Sequence, residues 1–391
     1  MKRICILAID SLKGKNGVSR TISDIAYYMK DKIVILTNKY NKNSTYKFPK
    51  QTKIYEKLVV PRKLSFIWTI LPLNYLTVNR FLKKENIYII NSHPVISGLL
   101  FLYILKLVFH RKLKISGFIY DREQLAKTWY RKVIFKLINF FGEKIPFSIM
   151  VLDNKMKDLV KRFFKSQKTK IFVIRIGVSK TILEYEKHKE KLKPTKKLLL
   201  KLNKISPKSF KILFFGILIP RRRVEDLLKA INLLKSDYPF IKVKVIIGGS
   251  TKVDKDYVNK LYKLTKELNL NEDIVFVGEV SEKELAYLYK FCDAFVWPCY
   301  PQTWGIAPLE AMLFGKPVIV STGSGVSEVL NKKTAILIPP KKPKYIEMAI
   351  LKLFKDKRTY QTLSRNGRDF VLKNLTYINT GDELSKLLGI N

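Results

Sequence analysis

The sequence is short of the residues from which most metal and disulfide sites are built. Its 391 residues contain three cysteines and three histidines. Three thiols cannot form a disulfide framework, and no His/Cys/Asp cluster has the spacing of a metal site. No P-loop is present either. We therefore expect no metal and no cofactor, and we interpret Cys5, Cys292 and Cys299 as buried thiols in a reducing compartment.

Long apolar runs are also missing. The most apolar segment, residues 95–109, is interrupted by Lys106 and is shorter than a bilayer requires. The apolar run at residues 1–9 is too short for a signal peptide and is typical of a buried strand. We expect a cytoplasmic chain that is soluble or lies on a membrane surface without crossing it.

Acidic residues are scarce relative to basic ones. The sequence has 75 Lys and Arg against 32 Asp and Glu, a formal net charge of +43. Such a surface attracts polyanions, anionic lipid headgroups and phosphorylated substrates. Nucleic acid is a competing partner, but no recognition motif for it is present, so we do not expect it. Alternatively, the lysine content reflects only the codon usage of the source organism.

Strand and helix patterns alternate along the chain, which predicts an α/β fold with doubly wound parallel sheets. At this length two domains are expected. We place a first Rossmann-like domain at residues 1–178, a Lys-rich helical linker or insertion at 179–208, and a second Rossmann-like domain at 209–368. Residues 369–391 are a C-terminal helical tail, for which a return to the first domain is one arrangement. Two such domains would face each other across a cleft between their carboxyl-end loops.

Residues 295–330 form the most informative stretch, FVWPCYPQTWGIAPLEAMLFGKPVIVSTGSGVSEVL. The pattern predicts a strand, a polar-aromatic loop, a short helix, a second strand and a glycine-rich turn. Pro308 suits the first turn of the helix, and Gly315 ends it. A helix that opens near Ile306 presents unpaired N–H groups to an anion, and Glu310 lies close to that end. We expect the chemistry in this stretch.

This stretch, in the second of two doubly wound domains, resembles the retaining glycosyltransferases of family 4 (glycosyl transferases group 1), which have the GT-B fold. The resemblance covers essentially the whole chain. Its other landmarks, specific in their order and spacing, are Asn16-Gly17-Val18-Ser19-Arg20, Phe214-Phe215-Gly216, Ile246-Ile247-Gly248, Val275-Phe276-Val277-Gly278 and Cys292-Asp293-Ala294. The resemblance implies that the second domain binds a nucleotide sugar and the first binds the acceptor. It also implies transfer with retained anomeric configuration and without a metal.

The resemblance assigns donor-binding roles to individual residues. Glu310 takes the position of the carboxylate that binds the ribose hydroxyls, and a carboxylate can accept two vicinal O–H bonds. Without the family pattern, Glu310 would equally well be a glutamate favoured by the helix dipole. The other donor-binding candidates in strand-end loops are Gly17, Gly216, Gly278, Val280, Gly305, Ile306 and Ala307. Among these, Gly17 lets its loop approach the donor phosphates closely.

Gln302 departs from the family pattern, which has glutamate, seven residues and a second glutamate. A glutamine can hydrogen-bond a sugar hydroxyl or the transferred group, but it offers no negative charge to an oxocarbenium-like centre. We therefore expect Gln302 to take part in catalysis without acting as a nucleophile, which argues against double displacement.

A basic loop at residues 220–223 follows the first strand of the second domain. Family members carry an arginine early in this loop and a Lys-Gly further on, which together clamp the diphosphate. Here Ile217 stands at the arginine position and Arg222 at the lysine position. We expect Arg222 to stabilise the leaving phosphate by bidentate contact, with Arg221 or Arg223 compensating for Ile217. A solvated basic loop is the alternative.

Candidate acceptor-side residues follow strands of the first domain. His93 ends one strand and aligns with a family histidine near the acceptor and the sugar; a lone histidine is equally well structural. Asp121 follows the next strand, where many family members have a histidine, and we interpret it as an acceptor contact or base.

Aromatic and basic side chains interleave in the first domain and would suit a face that lies on an anionic membrane. Ordinary helix cores explain the aromatic residues equally well. The residues concerned are Trp68, Trp129, Tyr130, Phe135, Phe140, Phe141, Lys63, Arg131, Lys132 and Lys136. A lipid-linked sugar is therefore our leading acceptor class, with a protein or a polysaccharide behind it.

Two other functions fit the same fold. One is an inactive GT-B homologue that binds nucleic acid or membrane through its basic charge. The other, a GT-B phosphorylase, is disfavoured because no lysine stands where a pyridoxal-type cofactor would sit. The D-x-D spelling at Asp254 and Asp256 lies in a Lys-rich stretch before a helix, so we do not interpret it as a metal site.

Overall fold

The computed structural model describes residues 3–8, 12, 17–38, 47–58, 72–93, 95–109, 112–121, 125, 136, 137, 139, 140 and 146–390. The chain divides into two compact units. One comprises Met1–Ser179 together with Tyr377–Asn391, and the other comprises Lys180–Thr376. Within the described ranges, every helix is too short or too polar to span a bilayer.

In its described residues, the first unit is built on a parallel sheet of seven strands. In chain order these are β1 (Arg3–Ala8), β2 (Ile33–Thr37), β3 (Lys53–Glu56), β4 (Ile87–His93), β5 (Lys114–Ile119), β6 (Ser148–Val151) and β7 (Lys170–Val173). Their order across the sheet is β3-β2-β1-β4-β5-β6-β7. Strand β1 lies between β2 and β4, where Cys5 is in register with Val34 and Ile90. Because both faces of a parallel sheet are covered, such strands are apolar throughout.

Helices of the first unit follow its strands. They are α1 (Gly17–Met29), α2 (Pro72–Lys84), α3 (Val95–Val108) and α4 (Asn154–Lys161). Asp153 caps α4 by accepting a hydrogen bond from the backbone N–H of Met156 at 2.7 Å. Val78, Phe101 and Val160 belong to the core cluster that these helices form with the sheet.

The second unit repeats the architecture with six parallel strands. These are β8 (Phe210–Phe215), β9 (Val243–Gly248), β10 (Ile274–Gly278), β11 (Ala294–Trp297), β12 (Val318–Ser321) and β13 (Ile336–Ile338). The order β10-β9-β8-β11-β12-β13 reverses direction between β8 and β11. Ligands of open α/β sheets bind outside the carboxyl ends of the strands at such a switch point.

Eight helices are described in the second unit, and their first turns show why they begin where they do. They are α5 (Lys180–Lys187), α6 (Lys196–Leu202), α7 (Val224–Asp237), α8 (Lys255–Glu267), α9 (Glu282–Phe291), α10 (Ile306–Leu313), α11 (Pro343–Lys355) and α12 (Lys357–Asn374). Ser281 and Glu284 open α9 with a capping box, as their spacing predicts. Asp254 caps α8 by accepting from the Tyr257 N–H at 2.9 Å, which accounts for the D-x-D spelling.

The final helix, α13 (Tyr377–Leu388), belongs to the first unit and packs on α1. Tyr28 donates to the carboxylate of Asp382, which raises the pKa of the phenol to about 12. A side chain at Gly381 would come within 2.2 Å of the Tyr28 ring, so this contact requires glycine. Thr380 adds a bond from the N–H of Gly177 at 2.9 Å. The C-terminal helix thus forms part of the core of the first unit.

Residues 180–202, expected to be a helical linker or insertion, form helices that belong to the second unit, and residues 377–391 return to the first unit, as one expected arrangement had it. Helices α5 and α6 lie within the second unit, where Lys201 donates to the carbonyl of Val277 at 2.8 Å. The buried carboxylate of Glu186 accepts from Arg368 at 3.0 Å, which ties α5 to α12. Helix α12 continues to Asn374, so the chain leaves the second unit at 376 and not at 368. The lysine content of residues 179–208 suggested a solvated segment, but the apolar side chains of Leu198 and Leu202 on α6 are buried.

Candidate functional site

The candidate site begins at the carboxyl end of β8, where two glycines allow close approach of two loops. Gly249 has a φ of +126°, and a Cβ there would lie 1.9 Å from the carbonyl oxygen of Gly216. Gly216 in turn donates to the carbonyl of Gly248 at 3.0 Å. The predicted donor residue Gly216 is thus held against the neighbouring strand end, and the basic loop leaves the sheet from this point.

Arg222 ends a short 3-10 turn, Pro220–Arg222. Its guanidinium carbon lies 4.8 Å from the centre of the Trp297 ring, and its Nη1 lies 3.9 Å from the sulfur of Cys299. Among the described residues, the buried Nε of Arg222 has no hydrogen-bond partner. This arginine therefore keeps donors that an anion can use.

Arg223, one of the predicted donor contacts, has its guanidinium engaged by acidic residues of the protein. Its guanidinium binds Asp226 through two bonds of 2.8 and 2.9 Å and Glu225 at 2.9 Å. These acids raise the pKa of the arginine further. Its φ of +54° places it in the left-handed region, directly before α7. Acids two and three positions later in the sequence account for these ion pairs. The carbonyl of the neighbouring Arg221 accepts from the Tyr300 N–H at 2.8 Å, and the role of Arg221 in compensating for Ile217 stays a prediction.

Trp297 ends β11 and contacts several parts of the site, although its role was not predicted. Its ring is only 3% exposed and stacks on Phe214 with an angle of 18° between planes. The indole N–H donates to Ser324 Oγ at 3.1 Å. A Cβ at Gly305 would come within 2.9 Å of the indole nitrogen, so the start of α10 is pressed against this ring. A tryptophan before Pro298 at a strand end was the available signal.

Helix α10 begins as predicted, with Pro308 in its first turns and Gly315 at its end. Gly305 flanks its N-terminus, and among the described residues no side-chain cap is present there. Ile306 and Ala307 are half-buried at this end. Gly315 adopts a φ of +70°, and its N–H donates to the carbonyl of Met312 at 2.8 Å. Uncapped N–H groups at the start of a helix favour an anion.

Glu310 lies one turn into α10 and is 2% exposed. Its Oε2 accepts a hydrogen bond from the hydroxyl of Tyr289 at 2.8 Å. Tyr289 belongs to α9 and is completely buried. The carboxylate is therefore held in a fixed orientation by a neighbouring helix, which suits a group that receives two hydroxyls of one ligand.

Gln302 is fixed by its backbone beside the glycine-rich turn. Its N–H donates to the carbonyl of Gly323 at 3.3 Å, and its own carbonyl accepts from Gly325 at 3.0 Å. The side chain is 8% exposed, and its Oε1 has no hydrogen-bond partner within the described part of the chain. A buried amide oxygen in this state is suited to a ligand hydroxyl.

Two further donor candidates follow β10. Gly278 has a φ of +73°, and its carbonyl accepts from Gly249 at 2.8 Å. Val280 is half-buried two residues later. Both lie at the carboxyl end of β10, as Gly216 lies at that of β8, and β9 pairs in parallel with both of these strands.

Candidates from the first unit occupy the ends of β4 and β5. The Nδ1 of His93 lies 2.6 Å from the hydroxyl of Tyr120, and Phe118 stacks on Tyr120 with an angle of 17°. Burial lowers the pKa of His93 to about 3, so the ring is neutral. Asp121 is half-buried at the end of β5, beside this pair. Gly17 is the first residue of α1 and is exposed, with nothing within 4 Å of the place that a Cβ would occupy.

Most of the aromatic and basic residues assigned to a membrane face lie outside the described residues. Those that are described, Lys136 and Phe140, are both exposed.

Burial raises the pKa of Cys299 to about 12 and of Cys292 to about 12, so both thiols are protonated. Across the described ranges, no group of three or more His, Cys, Asp and Glu side chains converges as in a metal site.

Residues 195–370 match the model of the family of glycosyl transferases group 1. An uncharacterised glycosyltransferase of Methanocaldococcus jannaschii is 30% identical over 173 residues, which is 44% of this chain and 43% of that protein. The O-antigen chain mannosyltransferase RfbU of Salmonella typhimurium is 26% identical over 57% of this chain and 55% of its own length. The chain thus spans about half the length of the curated relatives that it matches.

Solved structures match over nearly the full chain. HepE of Anabaena, determined in complex with UDP, has a TM-score of 0.75 at 15% identity. The match covers 100% of this chain and 100% of that chain. A glycosyltransferase of Rickettsia africae has a TM-score of 0.76 at 16% identity, covering 99% of this chain and 97% of its own. The fold is GT-B, with two Rossmann-like units, so the predictions of fold and of glycosyl transferases group 1 are confirmed. Membership of family 4 stays a prediction.

Proposed function

We propose that this protein is a glycosyltransferase that moves a sugar from a nucleotide sugar to a glycan or lipid-linked acceptor. The main observation behind this proposal is the carboxylate of Glu310, which is buried in the first turns of α10 and oriented by the hydroxyl of Tyr289. An acid in this position, beside an uncapped helix end, matches a ligand with vicinal hydroxyls next to phosphates. The family match over residues 195–370 supports the same class of reaction.

Each part of a nucleotide sugar has a proposed partner in the second unit. Glu310 accepts hydrogen bonds from the ribose hydroxyls, and the N–H groups at Ile306 and Ala307 face the diphosphate. Arg222 binds the phosphate that leaves with the nucleotide. Gly216, Gly278 and Val280 line the strand ends beside it. Gly17 stays a predicted donor-binding residue.

The proposed transfer retains the anomeric configuration and requires no metal. The acceptor oxygen forms a bond to the anomeric carbon as the bond from that carbon to the diphosphate breaks. Arg222 stabilises the charge on the departing phosphate, which accepts the proton of the acceptor hydroxyl. Gln302 hydrogen-bonds the transferred sugar without supplying charge. His93 and Asp121 serve the acceptor, His93 as a neutral hydrogen-bonding group.

Turnover by the purified full chain tests this function. The protein is incubated with a panel of UDP, GDP, ADP and dTDP sugars, and release of the nucleoside diphosphate is measured with and without EDTA. We expect turnover of one donor class, unchanged by EDTA and abolished in Glu310→Ala. Glu267→Ala, an exposed glutamate on α8, is the matched control. A folded protein that turns over no donor would support the inactive homologue.

The acceptor is proposed to be lipid-linked and presented at the inner membrane face. One relative supports a lipid acceptor: a Mycolicibacterium smegmatis enzyme named as a GDP-mannose-dependent alpha-(1-6)-phosphatidylinositol monomannoside mannosyltransferase. The net charge of +43 favours an anionic surface. Flotation with vesicles of phosphatidylglycerol and phosphatidylcholine should show binding that salt weakens. Absence of binding at low salt would reject the membrane location and leave the transferase proposal in place.

A further inference from the structure

Two neighbouring arginines of the basic loop are held in opposite ways. Arg223 forms ion pairs with Glu225 and Asp226, so its charge is compensated inside the protein. Arg222 forms no ion pair within the part of the chain that the structure describes. Its guanidinium instead lies over the Trp297 ring, 4.8 Å from the ring centre. The same loop therefore contains one neutralised and one uncompensated cation.

An aromatic ring holds an arginine in a way that a carboxylate cannot. Both orient the planar guanidinium, but a carboxylate also neutralises it and competes with any phosphate for its donors. The ring quadrupole attracts the cation while leaving its N–H groups, which lie in the guanidinium plane, available at the edges. The buried Nε of Arg222, which has no hydrogen-bond partner among the described residues, is one such donor.

The ring itself is fixed by contacts on several sides. Its N–H donates to Ser324 at 3.1 Å, and Phe214 stacks parallel to it at 5.8 Å. The edge of the indole occupies the space that a side chain at residue 305 would need, and glycine at this position leaves that space to the ring. Trp297 has little freedom to turn, so a guanidinium that rests on it has little freedom either.

We propose that Trp297 is a positioning residue that orients the uncompensated Arg222 toward the donor diphosphate. Trp297 does not itself touch the ligand; it acts through the guanidinium of Arg222. The inference rests on the proposed function, because it needs a diphosphate ligand in the second unit. The alternative is that Trp297 only fills the core at the end of β11.

Binding of a nucleoside diphosphate, compared with that of its nucleoside, separates these alternatives. The probe is whichever of UDP, GDP, ADP and dTDP stabilises the wild-type chain, together with the matching nucleoside, and affinities are measured by calorimetry. From the usual strength of a cation–π contact we expect Trp297→Leu to weaken the diphosphate about three- to thirtyfold. The nucleoside should lose less than about twofold, since Arg222 does not face it. Phe210→Leu, at the opposite end of β8, is the control for loss of an aromatic side chain and should change neither affinity.

A double-mutant cycle with Arg222→Ala decides whether Trp297 acts through Arg222. If it does, adding Trp297→Leu to Arg222→Ala produces little further loss of diphosphate binding. An equal loss in both backgrounds, or an equal loss for diphosphate and nucleoside, would overturn the inference. Should Trp297→Leu fail to fold, Ser324→Ala replaces it, because this variant keeps the ring but removes the hydrogen bond that anchors it. Ser324→Ala should weaken diphosphate binding about two- to fivefold. In the Arg222→Ala background, it should cause no further loss. A wild-type chain that binds none of the four diphosphates would instead reject the proposed function itself.

Discussion

Replacing Glu310 by glutamine removes one negative charge and leaves the size of the side chain almost unchanged. Tyr289 can still pair with the amide, so the hydrogen bond that orients the side chain in the wild type has a substitute. Helix α10 should therefore form normally, and we expect the free energy of unfolding to change by less than about 1 kcal/mol. The effect of this substitution should fall on the ligand.

The expected magnitude follows from the two ribose hydroxyls. Hydrogen bonds to a charged group contribute about 1.5–3 kcal/mol each, against about 0.5–1.5 kcal/mol for neutral pairs. Two bonds that lose charge assistance together weaken binding by about 2 kcal/mol, or roughly thirtyfold in Kd. The site is only 2% exposed at Glu310, so water does not replace the lost interaction readily.

The informative assay compares a nucleoside diphosphate with its 2′-deoxy analogue by calorimetry. Wild-type protein should prefer the ribonucleotide by about tenfold or more, because the deoxy compound leaves one accepting position of a buried carboxylate unfilled. Glu310→Gln should lose most of this preference, whereas Glu267→Gln on the exposed end of α8 should keep it. A glutamine variant with the full wild-type preference for ribose would show that Glu310 does not bind these hydroxyls.

Three further predictions concern other parts of the two units. Since the pKa of His93 is about 3 in the folded state and near 6.5 in the unfolded chain, the free energy of unfolding falls as the pH drops from 6.5 toward 3, by at most about 1.4 kcal/mol per pH unit. Urea unfolding at pH 5 and at pH 7 should show a smaller difference in this free energy for His93→Asn than for the wild type. An unchanged difference would contradict the prediction. Arg223→Ala should lower the free energy of unfolding by about 3 kcal/mol in the same assay, because buried acids lose their partner. Arg223→Gly should lower it by about 1 kcal/mol less, because glycine accepts the positive φ of this residue. Equal losses in the two variants would argue against backbone strain. Gln302→Ala should lower turnover about tenfold or more while changing the affinity for nucleoside diphosphate less than about twofold, and the opposite pattern would place Gln302 on the nucleotide.

The sequence predicted local features well where a neighbour in the chain determines them. The start of α10 with Pro308 and its end at Gly315 both depend on residues within a few positions. Alternating strands and helices likewise predicted parallel sheets, because few other arrangements bury continuous apolar strands on both faces. The order of the strands across each sheet was not predicted, because local patterns do not say which strands pair.

Contacts between distant segments were the part that local patterns could not provide. Tyr289 and Glu310 lie on different helices, and the pairing of Trp297 with Arg222 joins two loops at neighbouring strand ends. Arg223 is a different case, because its acidic partners at 225 and 226 are local. The run of three arginines indicated a phosphate-binding loop, but it did not show that these acids bind Arg223.

Thermal unfolding of the full chain with saturating sugar nucleotide tests the central claim that the second unit holds a nucleotide-sugar site built on Glu310 and Arg222. At about 100 times its Kd, a donor that binds only the folded protein adds about 2.7 kcal/mol, which raises the midpoint by several degrees. We predict that one donor class produces this shift in the wild type and in Glu267→Ala, and that Glu310→Ala and Arg222→Ala lose most of it at the same donor concentration. An equal shift in all four proteins would contradict the account.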